Sequence, residues 1–475
     1  MHVIYRHLKH YSLIYLGLAI YLLFYVSVAW TGWFDFLFSG AALHVGAKGI
    51  DFYQIPKGAW AFWHGGTLSG DLPAGGVEYA PLESSNGNVY HPFFSLLFGS
   101  FLTLFDPARA PYVWLWTKLF LSLIVMVCFF WNFRASKYIS LAIFVLCANF
   151  SIYLELAAWQ FQFILNIFLL LFLIALAKKQ SAYWSGIWYW SGMLIKPIGL
   201  LFVPALLLKG RWKIAVLGIW LFFVSTIVFV LRGTGSYYIN NLISNLTGPN
   251  TAGPNQIITF ASLLRYTTHW PDLAYQSLQN GVLLLTVFLG ILRRTHIAKA
   301  VFLLVVYYLC FYNAVFEYQW STLAYALAVC IVTCPEFQSR PAIFCILLTC
   351  LPGCFALLNH WHIDVKVLGN LGSIPGSTAW EWMVVSKLLP LFLLLATVLA
   401  PDIKPAFKQV KAFWGEMRKV NQRLGVFGEQ PAEALEAESQ SAPQDIPDEQ
   451  PKESSKREAE TIAPTLQAPS SSLVL

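Results

Sequence analysis

The chain has 475 residues, of which 57% are apolar and 12% charged, with a formal net charge of +7. The charged share is about half that of a soluble domain and the mean hydropathy is +0.59, which excludes a soluble globular protein. The basic excess does not point to nucleic acid, because Lys and Arg fall at the ends of apolar runs, where membrane topology places them.

Arg6 and Lys9 predict a cytoplasmic N-terminus before a first span over residues 11–30. That run is too long for a secretory leader, and no small-residue cleavage site follows it. Residues 31–91 are polar, Gly-rich and aromatic and predict a large outer loop. The apolar stretch 91–105 is short for a span and predicts a re-entrant or interfacial helix. Residues 112–131 then bring the chain back to Arg134 and Lys137. Residues 139–155 lead out, and 161–177 return to Lys178 and Lys179. The run 183–208 is interrupted by Lys196-Pro197, which predicts two short helices meeting at Lys196 on the outer side.

Residues 213–231 exit again and open a second polar outer segment over 233–272. Spans over 276–292, 300–315, 321–332, 341–358 and 382–399 complete about twelve crossings. Glu317-Tyr318-Gln319-Trp320 forms an outer turn, and His360, His362, Asp364 and Lys366 fall in a third outer loop. The membrane domain is thus expected over 1–400. A basic juxtamembrane segment over 401–428 and a Glu-, Ser- and Pro-rich tail over 429–475, expected to be disordered, follow it. The expected fold class is all-α: a polytopic integral membrane protein.

The cysteines indicate neither a metal nor a disulfide framework, since most lie inside apolar runs. No phosphate-binding glycine loop, HExxH or CxxC occurs, and no βαβ alternation offers a nucleotide-sugar domain. A glycosyl donor would therefore have to be lipid-borne, with no cofactor implied.

Candidate site residues collect on the expected outer side: Asp35, Asp51, Tyr53, His91, Gln160, Lys196, Asn255, Gln256, Arg265, Glu317 and Gln319. Asp35 stands where the first span meets water. A carboxylate there is costly and suits a catalytic base facing a cavity, or else a helix cap or surface group. Asp51 with Tyr53 can bind sugar hydroxyls or order the loop. Lys196, an ammonium inside an apolar run, needs a partner: a ligand phosphate, or an ion pair with Glu155 or Glu317. Arg265 can contact phosphate, Gln160 can bond substrate or cap a turn, and Trp60 and Trp63 can stack on sugar.

The order of several short motifs carries a resemblance. Asp35 is followed by a Gly-x-Asp-x-Tyr-like end at Tyr53, then by Tyr90-His91-Pro92. Trp159-Gln160 precedes a helix with Asn166, and Gly186, Lys196-Pro197 and Arg211-Trp212-Lys213 follow. Asn255-Gln256 leads to Arg265. Over roughly residues 10–270 this set resembles glycosyltransferase family 87 of the C superfamily, whose type is a polyprenol-phosphate-mannose-dependent α-mannosyltransferase. The resemblance implies that fold, with Asp35 as the base, a polyprenyl-phosphate sugar donor, a lipid or glycan acceptor, inversion and no metal. It also implies a multi-pass protein of the plasma (inner) membrane, with its active site facing the periplasm or outside. Gln319 occupies about the place of a family His that meets the donor phosphate. Two other readings compete: a lipid or sugar transporter or flippase without covalent chemistry, and a polymerase or ligase using a diphosphate-linked glycan.

Overall fold

A computed structural model describes residues 2–34, 52–68, 90–233, 235–247, 259–268, 270–292, 295–312, 315–352, 385–402 and 415–416. The chain forms two units, Met1–Lys408 and Gln409–Leu475, and of the second only Gly415 and Glu416 are described. Every regular element among the described residues is helical.

Six of these helices are long and apolar enough to cross a membrane: Tyr11–Thr31, Ala110–Phe133, Ile139–Ala157, Trp212–Leu231, Asp272–Gly290 and Val385–Asp402. Five shorter apolar helices accompany them, among them Pro92–Leu102, where the sequence predicts a re-entrant or interfacial piece. Gln162–Ala177 and Ile297–Phe311 have only 16 and 15 residues, yet nearly all of their side chains are buried. A helix apolar on every face needs neighbours on every face, and these two form the centre of the bundle. The long helices Trp212–Leu231 and Tyr11–Thr31 lie outside them, with only 22% and 28% of their apolar windows buried.

Close packing depends on small residues. A Cβ on Gly17 would lie 3.1 Å from Cys147 Cβ and from the Phe144 backbone, so the first helix seats directly on Ile139–Ala148. A Cβ on Gly218 would come within 2.2 Å of the Tyr189 ring. Such close approach replaces the missing hydrophobic drive between helices in lipid.

Two spans are broken. The run expected over 139–155 divides at Asn149, which is extended and whose side chain accepts from Ser151 N at 3.1 Å, capping Phe150–Ala157. The break at Lys196-Pro197 lies where the sequence places it. Ala182–Met193 ends there, Lys196 is extended, and a 3-10 turn, Pro197–Phe202, leads into Val203–Leu208. Tyr189 Oη donates to Gly199 O at 2.7 Å and ties the two arms together.

The turns sort to two ends. At the basic end Lys178 lies over the Phe133 ring, and Lys209 donates to Leu292 O and, at 2.8 Å, to Thr295 O. Lys299 there meets Asp402 at 2.6 Å and Glu336 at 3.4 Å. At the opposite end gather Phe34, Phe52, Tyr90, the turn 158–161, Lys196 and Glu317–Trp320.

Candidate functional site

The chain reverses sharply between Phe150–Ala157 and Gln162–Ala177. Trp159 takes a left-handed conformation with φ 53°. The Gln160 amide donates to Glu155 O at 3.1 Å, and the Trp159 carbonyl accepts from Trp114 Nε1 at 3.3 Å. A non-glycine residue held at positive φ is strained and persists only where its surroundings hold it. Here one brace is the Glu155 carboxylate, which accepts from Phe163 N at the start of the next helix.

Glu155 also pairs with Lys118 at 3.5 Å, both side chains being at most 3% exposed. Glu317 pairs in turn with Lys387 at 3.7 Å, and Lys387 donates to Leu351 O at 2.7 Å. The two carboxylates anticipated as partners for Lys196 are thus each bonded to another lysine. Lys196 is half-buried with its Nζ 5.7 Å over the Tyr318 ring, and its charge acts on Glu155. Three lysines, Lys118, Lys196 and Lys387, therefore meet two glutamates at this end of the bundle.

Asp35, Asp51, Asn255 and Gln256 lie outside the described residues. The residues that flank the 35–51 stretch are fixed beside the turn. Phe34 N donates to Ser27 Oγ at 2.8 Å, and its ring lies 4.9 Å from Phe24, which stacks on Tyr153 at 4.8 Å. Phe52 is fully buried, with its ring 6.1 Å from those of Trp159 and Phe161. Tyr53 Oη donates to Pro107 O at 3.2 Å, and burial pushes its phenol pKa up. Tyr90 donates to Gln160 Oε1 at 3.0 Å, so Phe52 and Tyr90 both meet the turn 158–161.

Other expected site residues are engaged within the protein. His91 is fully buried: Nδ1 accepts from Phe93 N at 3.1 Å and caps Pro92–Leu102, and Nε2 donates to Thr226 Oγ1 at 2.9 Å. That arrangement fixes a neutral ring, and burial holds its pKa down at about 3. Gln319 Oε1 accepts from Phe316 N at 3.0 Å. Arg265 lies 3.9 Å from Asp272 and 5.4 Å over the Tyr275 ring, neither of which belongs to the lysine–glutamate cluster. Trp60 stacks on His64 at 4.0 Å, and Trp63 Nε1 donates to Ser100 Oγ at 2.7 Å.

Lys118 and Lys387 are the site residues that the sequence reading passes over. Each is a cation inside an apolar run, the same signal that singles out Lys196. The buried polar ladder is a further addition. Gln162 Nε2 donates to Thr322 Oγ1 at 2.9 Å, Thr322 donates to Asn166 Oδ1 at 2.8 Å, and Asn166 donates to Ser321 Oγ at 2.8 Å. Among the described residues no group of three or more His, Cys, Asp or Glu is placed to hold a metal ion. Compared with protein-family models, curated proteins and solved structures, the chain matches none.

Proposed function

We propose that this protein is an integral-membrane glycosyltransferase with a C-superfamily fold, its short helices completing about twelve crossings. It transfers a hexose, mannose by the family resemblance, from a polyprenyl-phosphate donor to a lipid or glycan acceptor. Transfer takes place on the non-cytoplasmic face of the plasma membrane. The observation that carries this reading is the anchoring of Phe34 and Phe52 beside the turn that holds Glu155 and Gln160. Both neighbours of the Asp35–Asp51 stretch are thus tied to the end of the bundle that carries Lys118 and Lys196.

In the proposed reaction the Asp35 carboxylate accepts the proton of the acceptor hydroxyl. The hydroxyl oxygen attacks the anomeric carbon from the face opposite the phosphate, and the bond from carbon to phosphate oxygen breaks. Polyprenyl phosphate departs with the electron pair, and the configuration inverts. Lys196 stabilises the charge gathering on the departing phosphate, a contribution that grows in a site shielded from water. Gln160, whose Oε1 accepts from Tyr90, bonds sugar hydroxyls in this reading.

The test is transfer of radiolabelled sugar from polyprenyl-phosphate mannose by purified protein. Asp35→Asn is expected to lower the rate by about 10²–10⁴, the range for a general base. A folded Asp35→Asn protein with near wild-type turnover overturns the base assignment.

The Lys118–Glu155 pair favours a second reading. Lys118 stands about 12 Å along its helix from Ala110, and a buried ionisable pair at such depth is a device of coupled transporters. Uptake or flipping in sealed vesicles without any covalent product decides for transport.

A further inference from the structure

Helix Asp272–Gly290 is the least apolar of the six spans and also the least covered, with 17% of its apolar window buried. Lipid offers a polar side chain no hydrogen-bond partner, so the least apolar span belongs where protein surrounds it. Its inner face follows that rule. Tyr275 is buried, and Gln279 Nε2 donates to Phe311 O of the neighbouring helix at 2.8 Å. The outer face does not. Leu273, Gln276, Ser277, Asn280, Gly281 and Leu284 are all exposed, and their spacings of three and four make them one stripe. Asn280 stands about 12 Å along the helix from Asp272, a depth that lies inside the hydrocarbon of a spanned bilayer. Among the described residues no hydrogen bond reaches the side-chain amide of Gln276 or Asn280.

Gly281 is a second sign of a missing neighbour. A glycine inside a helix is destabilising relative to alanine, and a close approach of backbones is what offsets that. Cβ atoms on Gly17, Gly218 and Gly290 would meet neighbouring helices at 3.1 Å, 2.2 Å and 3.3 Å, whereas one on Gly281 would meet nothing within 4 Å. Ser277, one turn earlier, is the other small residue of the stripe, and such a pair lets two helices close on one another in lipid. The occupant of this face must therefore come close and must both donate and accept hydrogen bonds. It needs no charge, because the stripe carries none. The same stripe on a second copy meets each condition. An amide holds donors and an acceptor together, and a two-fold axis along the membrane normal sets Asn280 against Asn280 of the partner subunit. A single Asn at the seam of a coiled coil fixes register in the same way.

We propose that the outer face of Asp272–Gly290 is the contact of a homodimer. Two copies of this helix pack in parallel through Ser277 and Gly281, with the Asn280 amides bonded to each other across the axis. The pairing does not depend on the activity proposed above. Its test uses the full chain, carrying one fluorophore at its C-terminus, in liposomes of phosphatidylethanolamine and phosphatidylglycerol at a series of protein-to-lipid ratios. Single-molecule photobleaching counts the copies, and the wild-type chain is expected to pass from monomer to dimer as its density rises. Asn280→Leu is expected to weaken the dimer about 5–30-fold, the range for a polar contact between membrane helices. Gly281→Leu, which holds the two backbones apart, is expected to weaken it at least about tenfold. Both positions face away from the bundle, so both variants are expected to fold. Phe223→Ala, on the exposed side of Trp212–Leu231, is expected to leave the affinity unchanged. In Asn280→Cys, oxidation with copper phenanthroline is expected to yield two peptides joined at position 280, identified by mass spectrometry. A chain that stays monomeric at every density overturns the proposal, as does a dimer whose affinity neither substitution changes. Linkage of Asn280→Cys to cysteines of its own chain alone overturns it too, because a segment of the same chain then covers the face.

Discussion

The Lys118–Glu155 pair gives the sharpest stability prediction. The two side chains are 3% and 2% exposed and 3.5 Å apart. Lys118→Met leaves the Glu155 carboxylate with the Phe163 amide and the charge of Lys196 alone. Glu155→Gln keeps an acceptor for Phe163 but strands the ammonium, whose other neighbours include the Trp114 and Phe163 rings at 5.4 Å and 5.8 Å. Breaking a buried pair from one side costs about 3–5 kcal/mol, whereas replacing both members is often close to neutral. The double variant is therefore expected to be more stable than either single variant. Its loss should fall short of the summed single losses by at least about 2 kcal/mol. Equilibrium unfolding in mixed micelles, followed by tryptophan fluorescence, measures all four proteins. If the double-variant loss equals the sum of the single losses within about 0.5 kcal/mol, the side chains do not interact as described.

His91 gives a pH prediction: the native ring stays neutral to about pH 3 while the unfolded ring protonates near its ordinary 6.5. The unfolded state then binds the extra proton, so stability falls as pH drops from about 6.5 toward 3, by up to about 1.4 kcal/mol per pH unit. His91→Gln should flatten that slope in unfolding measured between pH 7.5 and 5. Gly218→Ala forces a methyl group to within 2.2 Å of the Tyr189 ring and is expected to cost about 1–3 kcal/mol. Adding Tyr189→Leu should recover part of that loss, measured in the same micelle assay. Lys299→Met leaves Asp402 and Glu336 without their shared ammonium and frees Val398 O. The expected result is faster proteolysis after residue 402, read by limited digestion and mass spectrometry.

Local chemistry was legible in the sequence wherever one residue type acts on its own neighbours. Proline after Lys196 broke its helix as expected, because losing an amide hydrogen is a local effect. The break at Asn149 was not anticipated: an asparagine in an apolar run marks a cap only once its side chain is seen to meet the Ser151 amide. Ion pairing was less legible still. Glu155 meets a lysine 37 positions earlier and Glu317 one 70 positions later, and only the packing of separate helices decides which lysine each receives. Hydropathy located Asp35 and Lys196 as costly charges, yet it treated Lys118 and Lys387 as passengers in their runs. Phe34 and Phe52 look like ordinary loop aromatics until their partners Phe24, Trp159 and Phe161 are placed.

The placement of charge along the bundle bears on the choice between catalysis and transport. A path for a polar solute needs groups with open hydrogen-bonding capacity from one face to the other. At the basic end Lys299 is bonded to Asp402, Glu336 and the Val398 carbonyl. At the other end Lys118 and Lys387 are bonded to Glu155 and Glu317. Between the ends, among the described residues, the amide and hydroxyl donors of Gln162, Thr322 and Asn166 bond to one another and to Ser321. Helix Val385–Asp402 is moreover held at both ends by these ion pairs, Lys387 to Glu317 and Asp402 to Lys299. Rocking one half of the bundle against the other would require breaking at least one buried pair, at about 3–5 kcal/mol. A transferase working at one face needs no such movement, and a fixed bundle is what keeps its acceptor, base and leaving group aligned.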